Sequence, residues 1–189
     1  MEAFLLSTGV VALAEVGDKT QLLALLLAAT FRRPLPIIAG IFFATLANHA
    51  LAGAIGQWLT QIVSSEALRW ILGLSFLAMG VWTLIPDKLD ADAKRDRRFG
   101  AFGTTLIAFF LVEMGDKTQI ATVALAARYD ALAAVVMGTT LGMMIANVPA
   151  VMLGNFTAAK LPVRAIHVAA AILFALLGIA VLGGLELGL

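Results

Sequence analysis

Cysteine is absent from this 189-residue chain, histidine occurs twice, tyrosine once, and only 13% of residues are charged. Without a thiol the chain forms no disulfide, zinc ribbon or thiolate-held cluster, so its chemistry rests on oxygen and nitrogen groups. The net charge of +1 sits in short loops, with no basic arm or aromatic platform, which excludes a nucleic-acid partner. Apolar residues take the place of charge: 61% of the chain is hydrophobic and its mean hydropathy is +0.99, far above soluble domains. These values describe an integral membrane protein.

A helix of roughly 20 apolar residues spans a bilayer. The sequence predicts six such helices, at about 4–29, 35–59, 67–86, 101–127, 131–157 and 163–185, with RRPLP at Arg32 to Pro36 and the charged run Pro86 to Gly100 as the main breaks. That run alternates in sign and reads as a solvated linker. VALAE, ending at Glu15, resembles a signal-peptide cleavage site. No Lys or Arg precedes it, and its counterpart in the second half is internal, so the first helix is expected to stay in the mature chain. On full crossings, Arg32, Arg33, Lys88, Lys94, Arg95, Arg97, Arg98, Lys160 and Arg164 share one side, and Arg69 and Arg128 the other. By the positive-inside rule the crowded side is cytoplasmic and both termini lie outside, with Trp58, Trp70 and Trp82 as interfacial anchors.

The charges inside the apolar runs are patterned. EVGDKTQ from Glu15 returns as EMGDKTQ from Glu113, and Gly40 with Gly138, and Phe76 with Phe174, keep the same offset. The fold class expected is therefore an all-α integral membrane protein with six transmembrane helices as two inverted three-helix repeats. Residues 1–86 form the first repeat, 87–100 a cytoplasmic charged linker and 101–189 the second, since an odd number of spans per unit inverts the second copy.

On a straight helix Glu15, Asp18 and Lys19 project from one flank, as do Glu113, Asp116 and Lys117. An unpaired charge at mid-membrane costs at least about 2.5–3.5 kcal/mol, so both triplets must face the bundle interior, where the symmetry brings four carboxylates together. Gly17 and Gly115 loosen the helices there. Two carboxylates and one lysine per motif leave two negative charges in all, which one divalent cation neutralises. Glu15, Asp18, Glu113 and Asp116 are the candidate metal ligands, and Lys19 and Lys117 balance charge. Thr20, Gln21, Asn48, Thr118, Gln119 and Asn147 are further ligands or supports in an all-oxygen site suited to Ca²⁺ or Mn²⁺. Asn48 is matched to Asn147, leaving His49 as an accessory without a counterpart, and His167 is placed at the cytoplasmic interface. A Glu15–Lys19 ion pair serving only as helix glue is the structural alternative.

Two copies of E-x-G-D-K-[TS], each opening a three-helix half, resemble the family of small manganese and calcium transporters of the Golgi and bacteria, and the likeness covers nearly the whole chain. The resemblance implies cation export coupled to proton entry, with the motif acids binding the ion, and no cofactor. It implies a bacterial inner-membrane location, a divalent cation, protons and lipid as partners, and an unspecified oligomeric state. Ligation takes deprotonated carboxylates, so metal and protons compete for the same oxygens. Rival readings are an exporter of a cationic organic solute, an intramembrane aspartate enzyme, and a scaffold. No aromatic residue flanks the motifs for the first, a lysine beside each acid hinders the second, and buried symmetric charges are a costly way to build the third.

Overall fold

The computed structural model describes residues 1–85, 97–153 and 163–184. Its elements are α1 (Glu2–Glu15), α2 (Lys19–Phe31), α3 (Pro34–Ile62), α4 (Ser65–Thr83), a 3₁₀ turn (Arg97–Phe99), α5 (Gly100–Glu113), α6 (Lys117–Arg128), α7 (Leu132–Leu153) and α8 (Val163–Leu182). Three of these, Pro34–Ile62, Leu132–Met152 and Val163–Leu182, are long and apolar enough to cross a membrane alone, while Lys19–Phe31 and Gly100–Glu113 are shorter apolar helices. Leu5, Phe43, Leu51, Trp58, Trp70, Val81, Leu111 and Ile172 are all exposed, an apolar surface that water would not tolerate and lipid covers. Most of the charged linker, and Lys160, lie outside the described residues.

The spans expected over 4–29 and 101–127 are each two helices, broken inside the motif at the glycines expected to loosen them. Val16 and Met114 are extended, Gly17 and Gly115 take φ of +81° and +78°, and Asp18 and Asp116 cap α2 and α6. Left-handed backbone is open to glycine at no steric cost, so the two glycines fix where the helices break.

Close helix crossings follow the motif offset. A Cβ on Gly40 would lie 2.9 Å from the Phe102 carbonyl oxygen and 2.8 Å from Thr105 Cβ; one on Gly138 would lie 2.5 Å from the Phe4 carbonyl oxygen and 3.0 Å from Ser7 Cβ. All three pairs, Gly40 with Gly138, Phe102 with Phe4 and Thr105 with Ser7, are separated as Glu113 is from Glu15. Glycine lets α3 approach α5, and α7 approach α1, to backbone distance. Phe76 on α4 and Phe174 on α8, themselves repeat mates, stack with centroids 6.4 Å apart, and Gly73, Gly80 and Gly178 draw these helices together antiparallel. One apolar cluster joins α1, α4, α6, α8 and the start of α7, and a second joins α2, α3, α5 and the end of α7. The motif residues belong to neither cluster.

Candidate cation site

The two breaks are built alike. The Gly17 N–H donates to Gln21 Oε1 at 2.9 Å and the Gly115 N–H to Gln119 Oε1 at 2.7 Å. Thr20 donates to Glu15 Oε2, and Thr118 Oγ1 to Glu113 Oε2 at 3.0 Å. Each opened turn thus pairs a backbone donor released by the break and fixes one glutamate oxygen, leaving the other to point elsewhere. The glutamine amides reach outward as well: Gln21 Nε2 donates to the Ala146 carbonyl at 2.9 Å, and Gln119 Nε2 to Asn48 Oδ1 at 3.3 Å. Asn48 Nδ2 in turn donates to the Phe110 carbonyl at 2.9 Å. Both ends of each glutamine amide are engaged, so Gln21 and Gln119 tie the broken spans to α7 and α3.

The lysines do not pair within their own motifs. Lys117 Nζ lies 2.6 Å from Asp18 Oδ1, and Lys19 Nζ lies 2.6 Å from Asp116 Oδ1. The helix break carries Lys19 away from the Glu15 flank that a straight helix would give it, and the charges are exchanged between repeats instead. The exchange is unequal: Lys117 and Asp18 are wholly buried, whereas 24% of the Lys19 side chain is exposed.

Glu15, Glu113 and Asp116 bring one carboxylate oxygen each within 4.8 Å of one another, and all three are buried. Among the described residues the Oε1 atoms of Glu15 and Glu113 have no hydrogen-bond partner. With a third oxygen nearby, these carboxylates from both halves of the chain are a donor set that could hold a hard cation, since buried acceptors without a partner are costly. Asp18, the fourth candidate, is held on Lys117 beside this trio.

Asn147 stands differently from its expected match to Asn48. In the helix contacts Asn48 occupies the place of Ala146, since Gln119 reaches the one and Gln21 the other. Asn147 therefore mates with His49, not Asn48, and the shared Ala-Asn dipeptide of the sequence is one residue out of register. His49 is buried, Asn147 donates to the Met143 carbonyl at 3.0 Å, and among the described residues neither His49 ring nitrogen nor the Asn147 side-chain oxygen has a hydrogen-bond partner. His167 is found with Nε2 2.7 Å from the Val16 carbonyl, at the first break. The missed features, crossed lysines and glutamine clamps, had one legible trace: Gln recurs at the same distance after each motif glycine.

Apolar helices around a buried acid and lysine cluster with more carboxylates than lysines mark an integral membrane protein with the donors to hold a cation. The family model described as "Divalent cation/proton antiporter GDT1" matches residues 3–91 and 101–186. The chain belongs to the GDT1 family. A Vibrio cholerae protein named "Putative manganese exporter" is 53% identical over 181 residues, covering 95% of this chain and 90% of that protein. GDT1-like protein 3 of Oryza sativa subsp. indica is 27% identical over 200 residues, covering 92% and 71%. GDT1-like protein 5 of Arabidopsis thaliana is 26% identical over 217 residues, covering 95% and 94%. No solved structure matches the chain.

Proposed function

We propose that this protein exports Mn²⁺ from the cytoplasm in exchange for protons, with Ca²⁺ as a second cargo of the same oxygen chemistry. Glu15, Asp18, Glu113 and Asp116 bind the ion. The meeting of Glu15, Glu113 and Asp116 oxygens from both halves carries the reading. Lys19 and Lys117 hold Asp116 and Asp18 when the cation is gone, and release them as it arrives. Glu15 and Glu113 give up protons as they ligate the metal and take them back as it leaves, while the two aspartates exchange the metal for lysine, so the exchange needs no separate proton carrier. The name of the Vibrio cholerae relative supports Mn²⁺ as the cargo.

The reading further holds that the chain crosses a bacterial inner membrane six times as two inverted repeats, residues 1–86 and 101–189, with both termini outside. The antiparallel stacking of the mates Phe76 and Phe174, and the matched breaks at Gly17 and Gly115, support the inversion. The shared site opens to one side of the membrane and then to the other by alternating access. Purified protein in vesicles under an imposed proton gradient tests this, with Mn²⁺ and Ca²⁺ followed by indicator dyes. Proton-driven Mn²⁺ flux is expected; no flux of either ion refutes it.

A further inference from the structure

The repeats match in sequence and in their breaks, yet α4 and α8 do not sit symmetrically on them. By the motif offset α5 mates with α1, α6 with α2 and α8 with α4, so symmetry would pair α4 on α6 with α8 on α2. Instead α4 packs on α6 and α8 on α1, while α4 makes no extended contact with α5, nor α8 with α2. Tyr129 Oη donates to Glu2 Oε1 at 3.0 Å, which places the start of α1 and the end of α6 at one end of the molecule. Both helices therefore cover the half that carries the N-terminus and leave the α2 and α5 half to α3 and α7.

The displacement is visible at the two breaks. On the first, Val163 and His167 of α8 close over the turn: His167 Nε2 donates to the Val16 carbonyl at 2.7 Å and would stand 3.3 Å from a Cβ on Gly17. The mates of these residues are Ser65, Arg69, Met114 and Gly115. Among the described residues nothing lies within 4 Å of where a Gly115 Cβ would stand, and Met114 is exposed. Arg69 lines a cavity of about 470 Å³ with Ser65 and Arg128 at the other end of α6, beside Gly184. One break is thus latched by α8, and the same break in the other repeat lacks the equivalent cover from α4.

We propose that α4 and α8 move as one body along the broken spans, and that Arg69 latches the Met114 carbonyl in the opposite state as His167 latches Val16 in this one. The glycine-mediated backbone approach of α4 to α8 keeps the pair together, whereas Leu68, Leu72, Leu177 and Val181 share an apolar cluster with α1 and α6, a contact between side chains alone. Exchanging the environments of the two repeats carries the pair from α1 and α6 to α5 and α2, uncovering one side of the acid cluster as it covers the other. This rests on the alternating-access reading above and names its moving part.

The chain has no native cysteine, so pairs can be introduced cleanly. Val16→Cys with His167→Cys reports the state described here, and Met114→Cys with Arg69→Cys the opposite one. In vesicles, the expected result is that both pairs form disulfides under mild oxidation, that each abolishes Mn²⁺ flux, and that reductant restores it. Formation of the first pair shows that the variant is folded. Failure of the second pair to close in vesicles that transport Mn²⁺ overturns the proposal, as does undiminished flux through either closed pair. Closure of both pairs in a protein that moves no Mn²⁺ would uphold the sliding pair and refute the cargo instead.

Discussion

Lys117 in the second repeat lies 2.6 Å from Asp18 in the first, with both side chains fully buried. This ion pair joins the two repeats across the site. Removing one member of a buried ion pair costs about 3–5 kcal/mol. Lys117→Met is therefore expected to lower the melting temperature in detergent markedly, and Lys19→Met less, because Lys19 reaches solvent. Adding Asp18→Asn to Lys117→Met should recover part of the loss; a double variant no more stable than Lys117→Met would contradict the pairing.

Glycine has two separate jobs here, and substitution distinguishes them. At Gly115 the backbone is left-handed with open space around the missing Cβ, so Gly115→Ala is expected to cost about 1–2 kcal/mol of backbone strain. At Gly138 a Cβ would meet the Phe4 backbone at 2.5 Å, so Gly138→Ala must push α7 off α1 at a cost of about 1–3 kcal/mol. A larger residue separates the cases: Gly138→Val should worsen sharply over Gly138→Ala by thermal melting, because the obstacle is space. Equal melting of Gly138→Val and wild type would contradict the close crossing.

How much of this was legible in the sequence turns on what a linear pattern encodes. The duplicated motif named Glu15, Glu113 and Asp116, because charge in an apolar run has no cheap alternative to burial. The offset of Gly40 and Gly138 gave the repeat, and the contacts of both glycines follow it. The crossed lysines were not legible, since a side chain's partner across 99 residues depends on how far a helix break turns it. The mate of Asn147 was legible only through the repeat offset, which gives His49 as the packing does; a shared Ala-Asn dipeptide suggested Asn48 instead. The uneven seating of α4 and α8 was not legible, since the repeat offset alone predicts that both helices sit alike.

The only tyrosine in the chain offers an optical check on the junction of α6 and α7. Burial and the hydrogen bond to Glu2 push the Tyr129 phenol up to about 12 from its ordinary 10.0. The folded protein thus keeps a proton that the unfolded chain loses, so this contribution to stability is complete below pH 10 and disappears as pH rises towards 12. Phenolate absorbance should appear late in the folded protein and earlier in Glu2→Gln. Titration at the ordinary value in the folded wild type would place Tyr129 away from Glu2.

Joint ownership of one ion by both repeats is tested most directly by counting bound Mn²⁺ in the detergent-purified protein by electron paramagnetic resonance. One Mn²⁺ per chain is expected, lost alike in Glu15→Gln and Glu113→Gln although each changes a different repeat. Two ions per chain, with each variant losing only one, would mean that the repeats bind separately.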